Sequence, residues 1–208
     1  MGQKRLMLAE SSTVPLSGPG RLESLNASCV VLTPRDKLPA WVVADLRTDH
    51  AGEVGAVCIY QGVLQFARDP VLRAFAEHHL ATEQKHLRLI AGWLPPDQYS
   101  RLLPLWRLAG FLTGDLPAMF GPRAVYATIE AVETFVNQHY EDQIRALASQ
   151  PALSDLRQTL LVCQADEVAH RDQAAAARGP TRPGAVLRAW CAVVGAGSSA
   201  AVSLIRHI

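Results

Sequence analysis

Charge is scarce in this chain. Only 19% of its 208 residues are Asp, Glu, Lys or Arg, against 49% hydrophobic, and the formal net charge is +1. That balance carries no electrostatic footprint for nucleic acid, so no nucleic-acid partner is expected. Cysteine is sparse too. Cys29, Cys58, Cys163 and Cys191 are scattered and form no C-x-x-C pair, which argues against a disulfide framework, an iron–sulfur cluster or a thiolate zinc site. A reducing compartment is the simpler reading, with each Cys a small apolar filler. No strand-like alternation of any length occurs, so the expected class is all-α. There is no Gly-rich dinucleotide fingerprint, so any NADH dependence needs a partner or an unusual direct route. A long apolar core ahead of a small-residue cleavage site is also missing, and no secretory signal is expected.

What the chain does have is one set of metal-ligand residue types, twice. Glu53 is followed by Glu83-x-x-His86, and Glu133 by Glu167-x-x-His170, with gaps of 30 and 34 residues from the lone Glu to the pair. Each gap holds one helix, a turn and part of the next. Carboxylate-bridged di-iron and di-manganese centres in four-helix bundles use this supply: a Glu from each of two helices and a Glu-x-x-His from each of the other two. A spacing of three puts Glu83 beside His86, and Glu167 beside His170, on one helical face. Four carboxylates balance two divalent ions, and a near-neutral cluster can sit in an apolar bundle where isolated charges could not. Tyr60 follows Glu53, and Tyr140 follows Glu133, by seven residues. That is about two helical turns, so each Tyr lies on its Glu's inward face.

Along the chain, residues 1–39 hold Pro, Gly and Ser without sustained helical periodicity and read as a loop or disordered tail. Residues 40–208 read as one domain. Helices are expected over Trp41–Ala67, from Pro70 to about Leu94, over Arg123–Ser149 and over Leu153–Arg178. Residues 102–122 are strongly apolar but interrupted by Arg107, Asp115 and prolines, which suits a segment lying against a membrane interface. The uncharged stretch Ala189–Ile205 is near the lower length limit for a spanning helix, and a helix packed on the bundle or embedded in one leaflet is expected.

Several strings then become specific: LRTDHAGEVGA at 46–56 followed by Ile59-Tyr60, LPLW at 103–106, Ala131-Val132-Glu133 leading to His139-Tyr140 and Gln143-Ile144, and Asp166-Glu167-x-x-His170. Together they resemble the demethoxyubiquinone hydroxylase (Coq7) family over roughly residues 40–208. The resemblance implies a ferritin-like four-helix bundle with additional apolar, membrane-facing helices. It implies two iron ions per chain held by Glu53, Glu83, His86, Glu133, Glu167 and His170. It also implies hydroxylation of a polyprenyl benzoquinone precursor with O2 and an electron donor, NADH or a reductase. Peripheral attachment is implied at the cytoplasmic face of a bacterial inner membrane, or the matrix face of the inner mitochondrial membrane in a eukaryote. Where relatives tend to carry a second His after Glu-x-x-His, this chain has Arg171.

Around the ligand set, Tyr60 and Tyr140 are candidates for hydrogen bonding to ligands or for an electron path, with core packing the plain alternative. His139 is displaced in angle from Glu133 and is a candidate to orient a neighbour or approach the substrate. His50 and His79 are expected just outside the metal. Trp93, Trp106, Phe111, Met119, Phe120 and Trp190 are candidates to line a substrate entrance or touch lipid, and the apolar segments could mediate self-association or docking to other quinone-pathway proteins. The alternatives are another ferritin-like di-iron oxidase or hydroxylase, a non-catalytic quinone-binding scaffold of the same fold, and a purely structural bundle.

Overall fold

The computed structural model describes residues 38–206; the expected tail, residues 1–39, lies outside them but for its last two positions. Among the described residues there are six α-helices and no strand: α1 (Ala40–Phe66), α2 (Pro70–Ala91), α3 (Leu103–Ala118), α4 (Pro122–Leu147), α5 (Ser154–Arg178) and α6 (Ala185–Ile205). Local chemistry sets their ends. Asp69 caps α2 by accepting from the Leu72 amide at 2.8 Å, with Pro70 at the first position, where its missing N–H costs nothing. Gly179 ends α5 at φ +78°, a conformation other residues avoid.

A seam of alternating four- and three-residue steps builds the bundle. In α2 the buried positions are Leu72, Ala76, His79, Glu83, His86 and Ile90; in α5 they are Leu156, Leu160, Cys163, Glu167, His170 and Ala174. The two series have the same spacing, and each carries its Glu and His where a coiled coil would carry apolar knobs. Along α1 and its C-cap residue, Leu46, Glu53, Tyr60 and Ala67 recur every seven residues and are all buried. The apolar core therefore comes in two clusters. One contains Val63, Leu72, Val125 and Ile129, the other Leu46, Ile90, Leu156 and Leu160, and the Glu and His positions fall between them along each helix.

The chain repeats itself in space as well as in sequence. α1 pairs with α2 and α4 with α5 to make the four-helix core; α3 packs back onto α1 as α6 packs back onto α4. The α1–α3 contact is backbone to backbone. A Cβ on Gly114 would collide with the Ile59 carbonyl oxygen, and one on Gly62 with the Phe111 carbonyl oxygen. Only glycine permits that approach.

Two expectations need correction. α6 begins at Ala185, directly after the Pro183-Gly184 break, so it includes Arg188 and is four residues longer at its start than expected. Trp93 is not at an entrance. It follows α2, packs on the Leu156 cluster and donates to Thr159 Oγ1 at 3.2 Å. The remaining apolar expectation has a clear form: Leu105, Leu108, Leu112, Leu116 and Met119 make an exposed stripe along α3 and the turn after it. α6 is the one helix among the described residues long and apolar enough to cross a membrane by length and composition, and little of it is buried.

Candidate metal centre

The six expected ligands converge from the four core helices. Glu53, Glu83, His86, Glu133, Glu167 and His170 are each at most 4% exposed. They form two overlapping groups that could hold a cation. One is Glu53, Glu83, His86 and Glu167; the other is Glu83, Glu133, Glu167 and His170; in each, the donor atoms lie within 4.8 Å of one another. Glu83 and Glu167 belong to both, and each remaining Glu and His belongs to one. This is the arrangement of two adjacent cation sites sharing two carboxylates.

The protein leaves this cluster electrostatically unsatisfied. Glu53 Oε2, both oxygens of Glu83, and Glu167 Oε2 are buried without a hydrogen bond among the described residues. No Lys or Arg approaches them among the described residues. Burial, then repulsion from Glu83 and Glu167, pushes the Glu53 carboxyl well above its usual range, and burial with the same two neighbours does this to Glu133. The imidazoles move the other way. Burial opposes a charge on His86, but contacts with Glu167 and Glu83 outweigh it and raise its pKa; the same balance lifts His170 to about 9. Burial also pushes Glu83 up, yet the two imidazoles beside it win and hold it below the ordinary value. His86 Nδ1 is hydrogen-bonded to Glu167 Oε1 at 3.0 Å, whereas His170 Nδ1 is 3.0 Å from Glu83 Oε1 but off the line of a hydrogen bond. Four carboxylates and two imidazole nitrogens aimed at a common centre are the donor set hard-to-borderline divalent ions prefer. The residues present fit a pair of such ions.

The neighbouring groups hold these side chains in place. Tyr140 donates to Glu53 Oε1, and Tyr60 donates to Glu133 Oε1 at 3.3 Å, so each tyrosine serves the carboxylate of the other half. His86 Nε2 lies 3.0 Å from Asp166 Oδ2, which also receives Lys85 Nζ at 3.4 Å. The sequence reading gave Asp166 no role. Its only signal was its place immediately before Glu167. His79 stands edge-on to the His170 ring at 4.1 Å between centroids and belongs to neither group. Burial, then the charges of His170 and His78, brings it down to about 3. His50 stacks on Tyr99 at 3.7 Å and is likewise outside both groups.

Above the cluster, a cavity of about 300 Å³ reaches the carboxylates of Glu53, Glu83, Glu133 and Glu167. Its walls come from α1, α3, α4 and α6 and are mostly apolar, with Trp106 and Trp190 among them; Phe111, Met119 and Phe120 do not line it. One polar patch interrupts that wall. Asp49 Oδ1 sits 3.0 Å from His139 Nε2 and 2.7 Å from Gln143 Nε2, while Thr48 Oγ1 is 3.1 Å from the same imidazole nitrogen. Burial alone would disfavour a charged His139, but the Asp49 carboxylate raises its pKa. Sequence reading picked His139 and missed Asp49, which comes from the other half of the chain. Trp106 Nε1 is buried without a hydrogen-bond acceptor among the described residues.

Comparison with known proteins agrees with this geometry. A family model described as ubiquinone biosynthesis protein COQ7 matches residues 40–205. A 3-demethoxyubiquinol 3-hydroxylase of Rhodospirillum rubrum is 37% identical over 144 residues, covering 67% of this chain and 66% of that protein. A mitochondrial NADPH-dependent 3-demethoxyubiquinone 3-hydroxylase of Dictyostelium discoideum is 33% identical over 143 residues, covering 65% and 64%. In both cases the match spans just under two thirds of the relative's length. A 3-demethoxyubiquinol 3-hydroxylase of Ralstonia pickettii is 29% identical over 196 residues, covering 89% and 88%. The matched span takes in all six helices, both Glu and Glu-x-x-His sets and the cavity above them, and on that ground the chain belongs to the COQ7 family.

Proposed function

We propose that this chain is an O2-dependent hydroxylase acting on the ring of a polyprenyl demethoxyubiquinol in ubiquinone biosynthesis. One observation carries the reading: a buried carboxylate–imidazole cluster forms the floor of an apolar cavity large enough for a substituted ring. Two irons held by Glu53, Glu83, His86, Glu133, Glu167 and His170 would supply the reduction of O2, so that one oxygen atom enters the ring and the other leaves as water.

The chain's own residues bind and orient. Tyr140 and Tyr60 fix Glu53 and Glu133, and Asp166 fixes His86 through the nitrogen facing away from the cluster. The apolar walls exclude water and accept the ring and the first part of the prenyl tail. On that wall, the Asp49 carboxylate faces His139 Nε2 and keeps the imidazole charged beside the ring, and Trp106 Nε1, buried without an acceptor among the described residues, is the donor left for a ring oxygen. The electrons come from outside. The Dictyostelium relative is named as NADPH-dependent, and NADPH, directly or through a reductase, is the donor proposed here.

The exposed apolar stripe of α3 and the exposed face of α6 support a peripheral position on the membrane that dissolves the substrate. That membrane would be the bacterial inner membrane at its cytoplasmic face, or the mitochondrial inner membrane at its matrix face. The same surfaces suit self-association or docking to other quinone-pathway proteins.

The test begins by loading the full chain with Fe(II) without oxygen and counting the iron. A demethoxyquinol analogue, reductant and O2 are then added, and the product is weighed. Two irons and a product heavier by one oxygen atom, both lost in Glu167→Ala, are expected. Two irons with an unchanged quinol would leave the metal centre standing and overturn the substrate.

A further inference from the structure

A second cavity, of about 540 Å³, lies where the end of α3, the start of α4 and the α5–α6 connection meet. It does not include the Glu–His cluster. Its walls are apolar: Leu116, Phe120, Val186 and Leu187 contribute. Phe120 is 82% exposed and Val186 86%, the two largest values among the exposed large hydrophobics. A pair of side chains so placed at the mouth of a cavity calls for an apolar occupant.

The rim is cationic. Arg123, Arg178 and Arg182 line the cavity and no acidic residue does. Arg123 Nη2 and Arg178 Nη1 both donate to the Thr181 carbonyl, at 2.7 and 3.2 Å, which gathers the guanidinium groups around the α5–α6 turn. Arg178 is also paired with Glu130, whereas Arg182 has no side-chain hydrogen bond or ion pair among the described residues. Two helix N-termini open onto the same space. α4 starts behind Gly121 and α6 behind Gly184, neither start has a side-chain cap, and Arg123, Ala124, Gly184 and Val186 from these first turns line the cavity. At α6 the uncapped first-turn amides and the helix dipole both favour an anion there. At α4 Pro122 has no N–H and the Ala124 amide already donates to the Gly121 carbonyl at 3.0 Å, so that end contributes mainly its dipole.

A soluble anion would satisfy the arginines and leave the walls wet; a neutral prenyl chain would do the reverse. An anionic amphiphile satisfies both. We propose that this cavity is a binding site for an anionic phospholipid of the membrane surface. The phosphate accepts from Arg182 and Arg123 and faces the two helix N-termini, while the acyl chains pass over Phe120 and Val186 onto the leucine stripe of α3. The site would fix the enzyme's rotation on the membrane. It shares Trp190 with the wall of the first cavity but none of the proposed ligands and neither Asp49 nor His139, so it stands or falls apart from the hydroxylase reading.

Binding of the full chain to phosphatidylcholine vesicles and to equimolar phosphatidylcholine–phosphatidylglycerol vesicles tests this, together with native mass spectrometry of detergent-solubilised protein given short-chain phosphatidylglycerol. One retained phosphatidylglycerol is expected, with preference for the mixed vesicles. Each arginine removed at the site should weaken that binding about fivefold, from roughly 1 kcal/mol per basic residue at an anionic surface. Arg182→Gln, at a side chain without a protein partner among the described residues, should bind the lipid about fivefold more weakly while keeping the melting temperature. Arg123→Gln/Arg182→Gln should lose more, and Arg145→Gln, at the far end of α4, nothing. Equal loss in Arg145→Gln would mean diffuse surface attraction and overturn the site, as would equal binding to both vesicle types. Retention of inorganic phosphate with no retained lipid would assign the arginines to a soluble anion and overturn the lipid.

Discussion

Tyr140 donates its phenolic hydrogen to Glu53, which lies in the other half of the chain, and not to Glu133, seven residues before it on its own helix. Tyr60 mirrors this by donating to Glu133. The exchange ties α1 to α4 across the floor of the cavity and fixes one carboxylate oxygen on each side. With the chain loaded with Mn(II), so that Glu53 is ionised, Tyr140→Phe keeps the ring volume and removes one hydrogen bond to a charged group. The expected cost is about 1.5–3 kcal/mol of unfolding free energy. Urea denaturation of wild type and variant measures it. Unchanged stability would mean that the phenol does not hold Glu53.

Asp166 reaches His86 through Nε2, the nitrogen that does not face the cluster. Partners of this kind set the tautomer and ring orientation of a metal-binding imidazole. Asp166→Ala is therefore expected to weaken metal binding about 10–100-fold, read by competition with a chelator. Lys85, exposed and 3.4 Å from the same carboxylate, is the contrast. An exposed pair of this sort contributes about 0–1 kcal/mol, so Lys85→Ala should leave affinity within a fewfold of wild type.

The wall of the cavity gives a different readout. Asp49 is buried against His139 and Gln143 and touches none of the six proposed ligands. Asp49→Asn keeps the shape and removes the charge that raises the His139 pKa. Metal content should stay at the wild-type level while kcat/KM for the quinol falls at neutral pH. If the variant lost its metal instead, Asp49 would belong to the metal centre and not to the substrate wall.

Much of this was legible in sequence because the site is built on regular helices. The spacing of three placed Glu83 beside His86 and Glu167 beside His170 on one face, and the doubled set pointed that face inward. The steps 72, 76, 79, 83, 86, 90 and 156, 160, 163, 167, 170, 174 are the helix seams that do so. What depends on the way helices pair was not legible. Nothing within α1 or α4 says that the tyrosines exchange carboxylates, or that Asp49 meets His139 across 90 residues. Trp93 read as an entrance residue because aromatic character says nothing about which end of the bundle a helix terminus occupies; the structure puts it in the Leu156 cluster. The early start of α6 was hidden by Arg188, a charge in an otherwise apolar segment, although Pro183-Gly184 marks the break.

The α1–α3 contact makes a steric prediction. Gly114 meets the Ile59 carbonyl, and backbone cannot move aside as a side-chain tip can. Gly114→Ala should cost at least the 1–3 kcal/mol typical of overpacking and shift α3, which forms a wall of the cavity. Gly52, also in α1, has nothing within 4 Å of a built Cβ. Gly52→Ala should stabilise the helix by about 0.5–1 kcal/mol. Thermal melts of the two variants moving in the same direction would contradict the packing.

Metal uptake should release protons. Burial, then mutual repulsion, raises Glu53 and Glu133, while contact with carboxylates outweighs burial and raises His86 and, to about 9, His170. Groups whose pKa lies above the solution pH hold a proton that a cation must displace, so binding tightens as pH rises and the displacement ceases only above the highest of these values. Between pH 6 and 8 the affinity for Mn(II) should therefore climb steadily. Calorimetry in two buffers of different ionisation enthalpy counts the protons released. A binding constant flat across that range, with no buffer dependence, would mean that the cluster meets the cation already deprotonated and that the imidazoles are not the groups holding charge against Glu83 and Glu167.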